Sequence, residues 1–259
     1  MDDPKAIVVG ISGCSSSGKT TLARILRDIF PNTMILHEDD FYKAETELPT
    51  RHGFLDWDCA EAISVPDMEA ALDHIRATGT FPASLDSKED QNSVGKCPVS
   101  DAKIDAMKAK VAAWVQPGQP GHALFVERKL RLCLFDGFLM YSAETAGAMK
   151  RMDIKLFLLV SREKATQRRE ARDGYVTLEG FWKDPPGYVE KIVWPNYAKE
   201  HAWLFENGDV EGVPDEEVLE KAGISVQTGL GLDVDMETTL EWAVDLIVRE
   251  LEKKVQAPL

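Results

Sequence analysis

Ala6 to Ile11 is an apolar run with no polar alternation, which predicts a strand buried on both faces. Leu22, Ile25, Leu26 and Ile29 then recur at helical spacing, so Thr20 to Phe30 reads as a helix with one apolar stripe. Met34 to His37 is a short second strand. After a polar loop, Pro66 to Ala77 reads as a helix, with proline in its first turn and Met68, Leu72 and Ile75 on one face. Leu130 to Phe135 and Ile154 to Val160 are further strands, and a helix follows from Glu163 to Arg172. Tyr188 to Glu200 reads as a helix kinked or interrupted at Pro195, and Ala202 to Glu206 as a last strand. Met236 to Lys254 closes the chain as an amphipathic helix. Strands alternating with helices predict a doubly wound α/β fold, a parallel sheet of about five strands covered on both faces.

Two stretches break this rhythm. Thr80 to Arg128 combines a polar run (Ser84 to Gly95), a helix and a Pro/Gly break at Gln116 to Gly121. In that helix Ser100 is a candidate cap, with Ile104, Met107, Val111 and Trp114 on one side. The stretch is expected to be an insertion, 80–128, on a single domain spanning 1–259. Gly174 to Pro186 is rich in Gly, Pro and aromatic residues, and 174–187 is expected to form a lid.

Composition narrows the function. The 30 Lys+Arg against 44 Asp+Glu give a net charge of −14, which repels nucleic-acid phosphates and anionic membranes; neither is an expected partner. Cys14, Cys59, Cys97 and Cys133 include no C-x-x-C pair, and the five histidines show no ligand-like spacing. A reducing compartment is expected, with neither disulfides nor zinc. The start, Met-Asp-Asp-Pro-Lys, is too acidic for a signal peptide, and no stretch approaches membrane-spanning length. The expectation is a soluble cytoplasmic monomer or homodimer.

The strongest chemical signal is Gly13-Cys14-Ser15-Ser16-Ser17-Gly18-Lys19-Thr20, a complete G-x-x-x-x-G-K-[ST] between a strand and a helix. Its glycines let the backbone N–H groups of Gly13, Ser15, Ser16, Ser17 and Gly18 curl around phosphate oxygens, and the helix start favours negative charge. Lys19, expected to face solvent in the empty loop, reaches the β- and γ-phosphates; the Thr20 hydroxyl joins the Mg²⁺ shell, with Thr21 beside it. The implied cofactors are Mg²⁺ and ATP, with GTP also possible. Asp136, ending a strand in Phe135-Asp136-Gly137-Phe138, suits Mg²⁺ held through water; its bland alternative is a turn aspartate. No N-K-x-D base-reading motif is present, which argues against a signalling GTPase.

His37-Glu38-Asp39-Asp40-Phe41-Tyr42-Lys43 follows the second strand, and with the phosphate loop it resembles the uridine kinase-like group of small-molecule kinases. Gly53-Phe54-Leu55-Asp56-Trp57-Asp58, Asp136-Gly137-Phe138, Arg168-Arg169-x-x-Arg172, Pro186-Gly187-Tyr188 and Val193-Trp194-Pro195-x-Tyr197 sharpen the likeness to nicotinamide riboside kinases. The resemblance covers roughly 5–78 and 130–206; the insertion has no counterpart in the shorter members. It implies a nucleoside acceptor phosphorylated on its ribose, with uridine/cytidine kinase or a non-catalytic nucleotide-binding regulator as the alternatives.

Asp39, leaving a strand end near the phosphate loop, is placed to orient an attacking hydroxyl, with Asp40 the weaker candidate and helix capping the alternative for both. Asp58 suits a ribose diol, with Asp56 as substitute, and the resemblance implies help from Arg169. Arg168 and Arg172 are candidates for nucleotide and transferring phosphate. Tyr42, Trp57 and Tyr175 are candidates for the substrate pocket, with Tyr175 or Tyr188 covering the base face opposite Trp57. The family often has tyrosine where Trp57 stands and glutamate where Asp136 stands, and the aromatic after Arg172 comes one residue later here.

Overall fold

The computed structural model describes residues 4–87, 95–172, 174–177 and 180–256, with backbone only at 175–177 and 256. Its strands are β1 (Ala6–Gly13), β2 (Thr33–His37), β3 (Thr50–Arg51), β4 (Phe54–Leu55), β5 (Arg131–Gly137), β6 (Ile154–Leu158), β7 (Tyr175–Thr177), β8 (Gly180–Trp182) and β9 (Ile224–Val226). Five of them form one parallel sheet in the order β2-β5-β1-β6-β9, while β3–β4 and β7–β8 are short antiparallel hairpins. The chain passes from β1 outward to β2 on one side, then from β5 across β1 to β6 on the other. The order reverses at β1, so a crevice opens beyond its carboxyl end, where ligands bind in sheets of this kind.

All eight residues of β1 are buried, which explains why its sequence shows no alternation. Ile7, Val9 and Ile11 point to one side, against Leu22 and Leu26 of α1 (Lys19–Ile29) and Leu240 and Ile247 of the C-terminal helix (Met236–Gln256). Ala6 and Val8 point to the other side and join Leu36, Phe135 and Phe157 against Leu72 and Ile75 of α2 (Val65–Thr78). Each Val, Leu, Ile or Phe among them contributes about 1.5–3 kcal/mol when fully buried. Among the described residues, no helix is long and apolar enough to cross a membrane.

One expectation near the end of the sheet is corrected. Ala202 to Glu206 is no strand: Ala202–Leu204 is a tight 3-10 turn, and Phe205 packs edge-on against Phe157. Its apolar residues plug the sheet face instead. The last strand is β9, three residues with a serine in the middle, too short to show a period. Tyr188 to Glu200 is helical as expected, and the interruption at Pro195 takes the form of a π-bulge over Val189–Val193 that runs directly into Trp194–His201.

The 80–128 stretch shares the core on the α1 side. Its helix α3 (Asp101–Trp114) is capped by Ser100, whose side chain accepts from the Lys103 N–H, and it buries Met107, Val111 and Trp114 among the residues around Ile7 and Val9. Trp114 meets Phe125 edge-to-face at 6.0 Å, and its indole N–H donates to Glu252 at 3.0 Å. Lys103–Glu241 (2.5 Å) and Lys110–Asp245 tie the same helix to the C-terminal helix. Trp114→Ala is expected to cost about 3–5 kcal/mol with a single unfolding transition retained. Two resolved transitions in calorimetry would show instead that this stretch unfolds apart from the sheet.

Candidate active site

The loop from Gly13 to Thr20 leaves β1 and enters α1. Gly18 has φ of 104°, a left-handed conformation that calls for glycine, and its Cα faces the Met236 methyl. The Ser16 and Ser17 hydroxyls are buried without a hydrogen-bond partner, an arrangement that suits incoming phosphate oxygens. Lys19 does not face solvent: it is 8% exposed and Nζ donates to the Cys14 carbonyl at 2.8 Å. Burial lowers the ammonium's pKa, against the pull of Asp136, Asp39 and Glu38. A buried cation resting on a carbonyl is held ready for the stronger phosphate acceptors.

Asp136 ends β5 beside the loop, 4% exposed, with His37 Nδ1 2.5 Å from Oδ1 and the Thr20 hydroxyl on the carboxylate. Burial pushes the carboxyl up, but His37, Thr20 and Lys19 together hold it below the ordinary range. Among the described residues, no three His, Cys, Asp or Glu side chains converge on a metal. One carboxylate beside one hydroxyl at a phosphate loop is the donor set for Mg²⁺ that keeps most of its water and takes phosphate oxygens.

Glu38 locks this corner, although its sequence position gave no sign of it. It is fully buried; Oε2 accepts the Phe138 and Leu139 N–H groups at 2.6 and 3.1 Å. A Cβ on Gly137 would lie 2.5 Å from Oε2, so the glycine lets the ends of β2 and β5 interlock. Asp39 and Asp40 both line the cleft from the turn Glu38–Phe41, and Asp40 also accepts the His37 N–H at 3.4 Å, the capping role.

The acceptor end is organised by Arg169, on the helix Arg162–Glu170. Nη1 and Nη2 grip Asp58 at 2.8 and 3.0 Å, Nε and Nη2 grip Asp184 at 2.6 and 3.2 Å, and Nη1 also reaches Ser15 Oγ at 2.8 Å. Asp56 cannot stand in for Asp58. It is fully buried, binds Arg51 (2.6 Å) and Asn196 (3.0 Å), and accepts the Asp58 N–H at 3.0 Å, so it shapes the loop from behind. Burial raises the Asp58 pKa, with Asp184 and Asp56 adding to it and the Arg169 fork opposing.

Trp57 lines the cleft with Tyr42, edge-on at 5.2 Å, and Trp182, tilted at 5.8 Å. Tyr188 does not cover the open face of Trp57. It is buried behind it, its hydroxyl accepting the Trp57 N–H at 3.0 Å and its ring under Arg169. Trp182 faces Trp57 instead, with its indole N–H on Asp184 at 3.0 Å. Tyr175 pairs with Trp182 across the β7–β8 hairpin, and its side chain lies outside the described residues. Trp182 and Asp184 were read only as lid composition, because a pairing with Arg169 fifteen residues away leaves no local pattern.

Lys19, Asp39, Asp58, Asp136, Arg169 and Trp57 line one cleft of about 1410 Å³ that runs over the phosphate loop and also includes Thr21, Arg168 and the exposed Arg172. Arg168 Nη1 lies 3.4 Å from the Ser16 and Ser17 carbonyls. No family model matches the chain. It is 38% identical to a nicotinamide riboside kinase of Schizosaccharomyces pombe over 96% of this chain and 99% of that one. It is 34% identical to the Saccharomyces cerevisiae nicotinamide riboside kinase over 83% and 85%. The chain belongs to the nicotinamide riboside kinase family. Human nicotinamide riboside kinase 2, at 30% identity, aligns with 78% of this chain and 70% of its own.

Two measurements test the site. Asp39→Asn is expected to lower kcat at least roughly a hundredfold with little change in KM, and Asp40→Asn to be milder; the reverse order would make Asp40 the group acting on the nucleophile. Burial pushes the Glu38 carboxyl from 4.5 up to about 7, against its two amide partners and Lys19. With the folded-state value raised, its stabilising contribution is complete below about pH 4.5 and lost as pH rises through about 7. Glu38→Gln is therefore expected to flatten the stability–pH curve across that window, and a curve parallel to wild type would contradict the assignment.

Proposed function

We propose that this protein transfers the γ-phosphoryl group of ATP to the 5′-hydroxyl of nicotinamide riboside, giving nicotinamide mononucleotide and ADP. The observation that carries the acceptor's identity is the charge of the sugar end. One guanidinium serves two carboxylates, and aromatic side chains stand beside them. Such a cluster is short of positive charge, and Asp58, its pKa raised by burial, is relieved by a further cation. Nicotinamide riboside brings a fixed positive charge on its ring; uridine and cytidine bring none. The names of the fungal relatives support the same choice over a pyrimidine nucleoside kinase.

Each residue then has a physical task. The Asp58 oxygens each keep an acceptor site beyond Arg169, enough for two neighbouring ribose hydroxyls. Asp39 orients the 5′-hydroxyl and takes its proton as the bond to phosphorus forms. Lys19 leaves the Cys14 carbonyl for the phosphates, and Arg168 and Arg172 neutralise charge spreading over the transferred group. Mg²⁺ bound with the nucleotide, near Thr20 and Asp136, supplies charge neutralisation at the phosphates.

An ADP-release assay across nicotinamide riboside, uridine, cytidine and adenosine tests the proposal, with nicotinamide riboside expected to give the highest kcat/KM. Trp57→Leu keeps apolar bulk but removes the ring's attraction for a cation, ~0.5–2 kcal/mol. It is expected to raise KM for nicotinamide riboside roughly two- to thirtyfold while sparing any uridine activity. Equal losses on both substrates would return Trp57 to packing alone.

A further inference from the structure

The two ends of the phosphate loop face opposite ends of the cleft. Ser15, at its start, is held by Arg169 beside the sugar carboxylate Asp58. Gly18, at its end, lies against Met236, the first residue of the C-terminal helix. With the acceptor at the Asp58 end, the donor's nucleoside must extend past Gly18.

The 80–128 stretch arrives at that same end. The Ser100 N–H donates to Glu237, next to Met236, at 2.8 Å, and Lys103 pairs with Glu241 one turn on. Further along, Lys110 pairs with Asp245 and Trp114 with Glu252, so α3 runs parallel to the C-terminal helix with both starts at the cleft. Pro98, Asp101, Ile104, Asp105 and Lys108 line the cleft opposite Thr21, Arg24, Ile25 and Asp28 of α1. On α3 these are positions i, i+3, i+4 and i+7, one continuous face. Ile104 is half-buried and Ile25 buried, so an apolar strip runs down the middle of this groove. Asp101, Asp105 and Asp28 stand beside Arg24, Lys96 and Lys108 on the same walls, so the groove carries no excess of positive charge for further phosphate and its apolar middle suits the uncharged nucleoside.

We propose that α3 and the Pro98 turn form the outer wall of the donor site, contacting the base and ribose of the nucleoside triphosphate through Ile104 and its neighbours. The insertion would thus be a donor-specificity element. This rests on the kinase reading of the phosphate loop and on the acceptor lying at the Asp58 end, but not on which nucleoside is phosphorylated.

Calorimetric titration without any acceptor separates these claims. The probes are ADP and tripolyphosphate, which shares the phosphates but lacks a nucleoside. Ile104→Ala is expected to raise the Kd for ADP roughly five- to tenfold and leave that for tripolyphosphate within twofold; Ile104→Leu is expected to restore ADP binding. An unchanged ADP affinity, or equal losses for both probes, overturns the wall. Wild-type protein that binds neither probe overturns the kinase reading itself. Photolabelling of wild-type protein with 8-azido-ADP needs no variant to fold: a labelled peptide within 96–108 supports the proposal, and labelling confined to other segments contradicts it.

Discussion

Much of the site depends on keeping the Arg169 guanidinium paired. Buried at 7% exposure, it has every N–H directed at an oxygen of Asp58, Asp184 or Ser15. A buried charge that loses its partner costs about 3–5 kcal/mol, so the segments supplying those oxygens are held in register by one side chain. They are the loop after β4, the start of the phosphate loop and the stretch following β8. The sugar carboxylate, the phosphate cradle and the aromatic hairpin therefore form one electrostatic unit, braced from behind by Asp56 with Arg51 and Asn196.

A second lock works at the ends of β2 and β5. Glu38 bonds the amides beyond Gly137, and His37 holds the Asp136 carboxylate. Asp39 follows His37 and Glu38 directly in sequence, so the group proposed to orient the acceptor and the group proposed to hold Mg²⁺ are fixed relative to each other. For phosphoryl transfer, whose catalysis is positioning and charge stabilisation, such rigidity between the acceptor and metal sides matters more than any single reactive group.

The sequence made the sheet legible because β1, β2, β5 and β6 are buried, apolar and long enough to stand out, and because the phosphate loop is a local motif. It hid β9, whose three residues carry no period, and it mistook the Ala202–Phe205 plug for a strand because both are short apolar runs. At the site, tight sequence clusters singled out Lys19, Asp39, Asp58 and the arginines, and the fold brings them to one cleft. Asp184, Trp182, Glu38 and Asn196 were not singled out, since each acquires its meaning from a partner far away along the chain. The placement of Lys19 was misjudged for a related reason: its neighbours Asp136, Asp39 and Glu38 come from two other strand ends.

The most direct test of the Arg169 account is kcat/KM for nicotinamide riboside in Arg169→Lys, measured beside ADP affinity. Lysine keeps the charge but presents a compact ammonium in place of a planar fork, so it cannot serve both carboxylates. The account predicts a fall of roughly a hundredfold or more in kcat/KM, with a smaller loss of ADP affinity because the fork reaches the phosphate loop only through Ser15. Acceptor kinetics within about threefold of wild type would contradict it.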